Sequence, residues 1–294
     1  GYDEGASGES PLEGVVAIAA GTWHSCGLLG SGEVLCWGQN DVGALGNPSH
    51  VDTSVPKYVI AADASHLNGV VAISAGGNST CALLKTTEVA CWGAIVDSDV
   101  PVRVPNFDNS GSLIDVTSVV VYDESACALL KTSEVVCWGS DVNERLGNGV
   151  DGPSALPTYV LSGELGHEIS EPDRLHNVES IAISYWHSCA VLSSGEMVCW
   201  GSNDSGQLGD GTNPESTFPV YVHGLDDTGH LVGVIAVSVG GPRSCATLTS
   251  GNAACWGSND YVALGVGGGP DMDHPKLLQD VDGEGYLDGV ISIA

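Results

Sequence analysis

The sequence predicts an all-β protein assembled from a repeated unit, and three observations carry that expectation. The triplet Cys-Trp-Gly occurs five times, at Cys36-Trp37-Gly38, Cys91-Trp92-Gly93, Cys137-Trp138-Gly139, Cys199-Trp200-Gly201 and Cys255-Trp256-Gly257. A second cysteine stands ten positions before each, at Cys26, Cys81, Cys127, Cys189 and Cys245, so all ten cysteines belong to the repeat. Short apolar runs rich in β-branched residues begin at Val15, Val70, Val116, Val178 and Val234, separated by turns drawn from 41 glycines.

Within one unit the elements follow in order. Val15-Val16-Ala17-Ile18-Ala19-Ala20 is nearly all apolar, as expected of a strand covered on both faces. His24 to Leu29 and Glu33 to Trp37 flank Gly30-Ser31-Gly32 and read as a hairpin; Ser193-Ser194-Gly195 and Thr249-Ser250-Gly251 repeat the connection. Three residues with glycine last suit a type I turn closed by a bulge, since glycine takes the left-handed position cheaply; Thr87 and Ser133 stand there in units two and three. A turn rich in Asn and Gly follows, Ser202 to Gly209 in unit four, and then a Pro-led strand, Pro219-Val220-Tyr221-Val222. The chain, 1-294, reads as a single repeat domain with units at about 15-69, 70-115, 116-177, 178-233 and 234-289. Gly289-Val290-Ile291-Ser292-Ile293-Ala294 reproduces Gly14 to Ala19, so 290-294 reads as the opening strand of a partial sixth unit.

In a hairpin centred on Ser31, Cys26 lies directly across from Cys36, and the other four pairs share that spacing. Facing residues on antiparallel strands are within disulfide reach at the closer, non-hydrogen-bonded pairs. The expected bridges are Cys26 to Cys36, Cys81 to Cys91, Cys127 to Cys137, Cys189 to Cys199 and Cys245 to Cys255. The rival is zinc, but tetrahedral sites use C-x2-C or Cys/His quartets, and two thiols of one hairpin supply half a site. Persisting disulfides imply an oxidising compartment, which places the protein outside the cell, on its surface, or in a periplasm or lumen. The sequence opens Gly1-Tyr2-Asp3-Glu4, so any targeting segment has been removed or lies outside it.

Gly21-Thr22-Trp23-His24-Ser25-Cys26, continuing to Gln39-Asn40-Asp41-Val42-Gly43-Ala44-Leu45-Gly46, follows a pattern G-x-x-H-S-C … C-W-G-x-N-x-x-G-x-L-G that unit four also matches. It resembles the regulator of chromosome condensation repeat over almost the whole chain. The resemblance implies a β-propeller of four-stranded antiparallel blades, one hairpin disulfide per repeat here. Family members usually carry seven units; this chain has about five repeats plus a partial sixth, and unit two lacks the Asn-x-x-Gly-x-Leu-Gly turn. A propeller ring normally closes by pairing strands from both termini, whereas here both ends offer the same strand. The chain therefore reads either as a piece of a longer array or as one whose spare strand, Val290, Ile291, Ser292, Ile293 and Ala294, pairs with another chain. Relatives of this kind include a nucleotide-exchange factor, a β-lactamase inhibitor and a light sensor, so the resemblance implies no single activity.

Charge excludes some partners. With 37 Asp and Glu against 8 Lys and Arg, net −29, the chain offers no basic face to a polyanion, and no apolar run reaches the length of a membrane helix. Nucleic acid and membrane insertion are not expected; a protein partner or self-association is. The recurring tryptophans read as packing between blades. His24 and His187, preceding Ser-Cys, read as structural hydrogen-bonding groups rather than bases, because Ser79, Ser125 and Arg243 replace them elsewhere. No nucleophile elbow, phosphate loop or H-E-x-x-H occurs, so no catalytic residue is assigned. Calcium is the one cofactor with candidate ligands: Asn106, Asp108 and Ser110 before Gly111, and Asp280, Asp282 and Glu284 before Gly285, with Asp288 beyond. Oxygens at alternate positions followed by glycine suit a hard cation, yet Ile291 stands where a closing Glu belongs, and a solvated acidic turn is the favoured reading. Asp226-Asp227-Thr228-Gly229-His230 is a degenerate cousin, and Asn78-Ser79-Thr80 and Asn203-Asp204-Ser205 are sequons. The function expected is a secreted or cell-surface, non-enzymatic protein-binding scaffold or extracellular structural module. The alternatives are a fibre subunit joined by the spare strand and a secreted hydrolase or lyase with a funnel site. Partner contacts are expected in variable loops such as Gly149 to Asn177.

Overall fold

The computed structural model describes residues 12–163, 173–226 and 228–293. Five separate four-stranded sheets stand in sequence order, each a simple antiparallel meander. Blade 1 is β1 (Val15–Ala20), β2 (His24–Leu29), β3 (Val34–Gly38) and β4 (Thr53–Tyr58). Blade 2 is β5 (Val70–Gly76), β6 (Ser79–Leu84), β7 (Val89–Gly93) and β8 (Ser98–Arg103); blade 3 is β9 (Val116–Tyr122), β10 (Ser125–Leu130), β11 (Val135–Gly139) and β12 (Ser154–Tyr159). Blade 4 is β13 (Val178–Ile183), β14 (His187–Leu192), β15 (Met197–Gly201) and β16 (Ser216–Tyr221); blade 5 is β17 (Val234–Gly240), β18 (Arg243–Leu248), β19 (Ala253–Gly257) and β20 (Met272–Leu277). The first strand of every blade faces a shared central funnel.

The hairpins keep the register expected from the cysteines. Cys26 pairs with Cys36, Cys81 with Cys91, Cys127 with Cys137, Cys189 with Cys199 and Cys245 with Cys255. Each pair is a disulfide with Cα atoms 4.1 Å apart, and among the described residues no cysteine is free. Thr87 and Ser133 take the left-handed conformation that Gly32, Gly195 and Gly251 take elsewhere, so the turn survives without glycine.

Three expectations need correction. The first strand is not covered on both faces throughout: a register shift after its opening residue turns Val16, Val71, Thr117, Glu179 and Ile235 to solvent. The outer strand of blade 4 begins at Ser216, not Pro219. Proline sits fourth in all five outer strands, beside a register shift where its missing N–H is tolerated, and the Ser216 hydroxyl holds the start by donating to Phe218 O at 2.7 Å. Val290–Ile293 forms no strand, because no hairpin follows within the described residues for it to pair with. Its one ladder-like bond, Val290 N to Gly251 O at 2.8 Å, copies Val70 N to Gly32 O and Val234 N to Gly195 O. Ala294 lies outside the described residues.

The apolar core is divided into four layers, each between two consecutive blades. Between blades 1 and 2, Leu28, Val34, Leu45 and Val59 meet Leu67, Val70, Leu84 and Trp92. The other three layers repeat this arrangement. Stability of such an array is therefore a sum of neighbour interfaces, as in other repeat proteins.

Candidate binding face

Each interface is pinned by one backbone carbonyl. Ala44 O, in the turn after β3, accepts from the Trp92 indole at 2.9 Å and the Thr80 hydroxyl at 3.3 Å of the next blade. Arg145 O does the same for Trp200 and Ser188, both at 2.9 Å, and Gln207 O for Trp256 at 3.0 Å and Ser244 at 2.8 Å. Two donors match the two lone pairs of a carbonyl. The glycine two residues on is required by closeness as well as φ: at Gly209, φ +71°, an added Cβ would lie 2.5 Å from Trp256 Nε1. Blade 2, whose turn is too short to present this carbonyl, leaves the Trp138 indole buried without a partner, and Ala126 replaces the hydroxyl. Replacing tryptophan by phenylalanine should therefore divide the series. Trp92→Phe, Trp200→Phe and Trp256→Phe each lose a hydrogen bond and should cost about 1 kcal/mol more than Trp138→Phe, which removes an unpaired donor. Urea unfolding of the four variants, disulfides intact, checks the difference, and equal losses would refute it.

His24 and His187 belong to the same joints. His24 Nε2 lies 2.7 Å from Thr80 Oγ1, and His187 Nε2 lies 2.6 Å from Ser244 Oγ. Each hydroxyl spends its proton on the turn carbonyl, so each imidazole is neutral and donates from Nε2. Burial pushes the histidine pKa values down to about 4 for His24 and about 3 for His187. They hold blades together, as their replacement in other units suggested.

Antiparallel meanders place the loops joining first to second strands, and those joining third to fourth strands, at one end of the blades. That end carries exposed aromatic rings: Trp23 is 67% exposed, Tyr185 38% and Tyr261 99%. Trp186 is half-buried, edge-on to Tyr185 with centroids 5.2 Å apart. Arg145 is buried beneath Tyr185, with Nη1 3.0 Å from Tyr185 O. Carboxylates share this end of the blades: Asp41 lines a pocket with Trp23, Asp123 and Asp141 act on Arg145 beneath Tyr185, and Asp260 precedes Tyr261. Burial, then Glu215, Asp151 and Asp141, push the Glu144 carboxyl up, the behaviour of a crowded acidic rim. At the centre lies a funnel of about 430 Å³, lined by residues such as Ala20, Ser74, Val121, Ile183, Val239 and Ile293; its described lining holds no carboxylate, histidine or cation.

The candidate calcium loops use their oxygens on themselves. Asn106 Oδ1 accepts from Ser110 N at 2.9 Å, Asp108 Oδ1 accepts from Ser110 N at 3.0 Å, and Asp280 Oδ1 accepts from Asp282 N and Glu284 N, both at 3.2 Å. Asp288 accepts from Gly289 N at 2.7 Å. Among the described residues no three His, Cys, Asp or Glu side chains converge as metal ligands; Asp227 lies outside them. Asn203 is fully buried and its amide ties the turn to Thr212 O at 2.8 Å, whereas Asn78 is half-buried. Of the loop from Gly149 to Asn177, residues 164–172 lie outside the described residues. Among the described residues no helix is long and apolar enough to cross a membrane.

Comparison with known proteins agrees with this architecture. Two signatures of the regulator of chromosome condensation (RCC1) repeat match the chain, one at residues 15–44 and 178–207, the other at 31–83 and 194–247. The ultraviolet-B receptor UVR8 of Arabidopsis thaliana is 29% identical over 279 residues, covering 91% of this chain and 58% of that protein. The mitochondrial RCC1 domain-containing protein RUG3 of the same plant is 28% identical, with 87% and 56% covered. The chain thus spans a little over half the length of these curated relatives. Human WBSCR16 superposes with a TM-score of 0.73 at 20% identity, covering 92% of this chain and 70% of that one. Yeast RCC1 (Prp20), solved bound to Kap60, gives 0.53 at 19% identity, with 91% and 75% covered. Signatures that recur in two separate stretches place regulator of chromosome condensation repeats at residues 15–83 and 178–247, on blades whose β-propeller fold superposes on that of yeast RCC1.

Proposed function

We propose that the protein is a secreted or cell-surface, non-enzymatic scaffold that binds a cationic protein segment on the loop face around the funnel mouth. The observation that carries this reading is the set of exposed rings, Trp23, Tyr185 and Tyr261, standing among carboxylates on one end of the blades. Aromatic side chains supply contact area at small entropic cost and attract Lys and Arg across their faces, while the acidic rim raises encounter rates. A funnel lined by aliphatic, glycine and hydroxyl side chains with a single tyrosine supplies no general acid or base pair, which supports binding over catalysis. Five disulfides are compatible with an oxidising compartment and support placement outside the cytosol.

The test uses core histones and a lysine-rich peptide as cationic probes, with heparin as the polyanion control. Micromolar binding that weakens with salt and falls at least tenfold in a Trp23→Ala/Tyr185→Ala variant is expected. Binding unaffected by removal of the rings would reduce the interaction to bulk charge and overturn the proposed face. Absence of binding would overturn the cationic partner.

A further inference from the structure

The opposite end of the blades carries a second repeated device. The linker from each outer strand to the next blade folds back on itself through one bridge: Ile60 with His66, Pro105 with Ser112, Leu161 with Arg174, His223 with His230, Gln279 with Tyr286. The returning residue faces the start of the third strand, where Glu33, Glu88, Glu134 and Glu196 stand and blade 5 has Asn252. In blades 1, 3 and 4 the glutamate divides its oxygens. Oε2 accepts the hydroxyl of Ser31, Thr132 or Ser194 at 3.0, 2.7 and 2.8 Å. Oε1 faces a basic side chain on the linker: His66 Nδ1 at 3.1 Å, Arg174 Nη1 at 3.1 Å and His230 Nδ1 at 2.9 Å. A tyrosine from the outer strand covers the other side of that group. Tyr58 stacks on His66 at 3.9 Å, Tyr221 on His230 at 3.8 Å, and the Arg174 guanidinium lies 3.5 Å from the Tyr159 centroid.

Blade 2 obeys the same charge rule by another route. Its returning residue is Ser112, and the outer strand supplies Arg103 in place of tyrosine, 3.6 Å from Glu88. Blade 5 has lost both members, Asn252 replacing glutamate and its Nδ2 donating to Leu287 O at 2.9 Å. A chain with 8 Lys and Arg places two of them in these clasps, so glutamate and cation are kept or lost together.

We infer that blades 1 and 4 carry pH-dependent clasps, in which protonated His66 and His230 tie their linkers to Glu33 and Glu196, and that these linkers loosen as pH rises past neutrality. Imidazole is the side chain that exchanges its charge between pH 5 and 8, whereas guanidinium keeps it, so the clasp of blade 2 does not respond and that of blade 3 keeps its Arg174 bond to Glu134 at both ends of that range. The other titratable groups facing His66 are Tyr58 and, on its own linker, Asp63, which is occupied with Ser65. Facing His230 are Tyr221, His223 across the bridge, and Asp226, bonded to Thr228 N. The Arg174 clasp also holds Asp173 and His176, the latter 3.4 Å from Asp173 and 3.9 Å from Glu134. Hydrogen bonds from His230 and then Ser194 hold Glu196 below the usual carboxylate range, so the glutamate is the charged partner of the pair.

Hydrogen exchange of the whole protein at pH 5.5 and 8.0, expressed as protection relative to intrinsic rates, reads the clasps directly. The reporters are the amides of Ala61, Leu67, Gly224 and Leu231, which close the two histidine linkers. Their protection should fall about two- to fivefold at the higher pH, the scale of a surface ion pair. Asn106, Leu113 and Leu175 in the arginine-clasped linkers should hold steady. His66→Arg/His230→Arg, which copies what blade 3 already uses, should remove the pH effect, and Glu33→Gln/Glu196→Gln should lower protection at pH 5.5 to the level seen at 8.0. Equal protection at both pH values, an equal change in all four linkers, or a pH effect that persists in the arginine variant would overturn the inference.

Discussion

Reducing the five disulfides should unfold the protein without denaturant. Each bridge spans 10 residues of sequence, and a loop that short gains about 3 kcal/mol by the chain-entropy argument. Five such contributions reach about 15 kcal/mol, the upper end of the net stability of ordinary domains. The order of reduction should also be defined. Nine of the ten cysteines are buried, so a reductant must wait for their hairpins to open, whereas Cys245, on the inner strand β18 of blade 5, is half-buried. Titration with dithiothreitol, followed by alkylation and intact mass, should label Cys245 and Cys255 first. The remaining eight should then follow together with loss of the fluorescence of the buried tryptophans. Full labelling with the folded signal retained would show that the interblade layers suffice alone. Replacing one interior pair, Cys189→Ala/Cys199→Ala, should cost about 2 to 5 kcal/mol and leave the other four bridges intact.

The bridges were legible in the sequence because a hairpin of fixed length maps spacing onto facing residues. Ten positions around a three-residue turn can only bring Cys26 opposite Cys36, and the repeat then states it five times. The interblade joint was half legible. Trp92, Trp200 and Trp256 announced themselves by recurrence, but their acceptor did not, since the pinning carbonyl belongs to Ala44, Arg145 and Gln207, residues with nothing in common but backbone position. The usable signal was the residue before the first cysteine: Thr80, Ser188 and Ser244 follow blades that own the full turn, and Ala126 follows the one that lacks it. Glu33 and His66 are illegible for a similar reason, lying 33 residues apart and joined only when the linker folds back across the sheet. Their partners in blade 3, Glu134 and Arg174, hide the pattern further by changing the cation. Val290–Ile293 shows the opposite failure: its sequence says strand, and pairing, which decides strands, needs a neighbour that no described residue supplies.

Mild acid should destabilise the protein well before its carboxylates titrate, and two buried imidazoles should be the cause. In the unfolded chain a histidine takes up its proton near pH 6.5, while His24 and His187 resist until about 4 and about 3 because each is buried as the neutral donor to a hydroxyl. Between those limits the unfolded state binds two more protons than the folded state, so stability rises with pH and is lost as pH falls through the window. Each imidazole contributes a slope of about 1.4 kcal/mol per pH unit, and from pH 6.5 to 4 the pair removes about 7 kcal/mol. Protonation of surface carboxylates opposes this by relieving the self-repulsion of a chain at −29. The histidine contribution is therefore isolated as a difference between variants. His24→Gln and His187→Gln keep a side-chain donor and do not titrate; each should flatten the dependence of unfolding free energy on pH between 6.5 and 4.5 by about 1.4 kcal/mol per unit, and the double variant by about twice that. Urea unfolding at half-unit pH steps measures it. Parallel curves for wild type and both variants would mean that these histidines titrate alike in the folded and unfolded protein, and the joints between blades 1 and 2 and between blades 4 and 5 would then have to admit water.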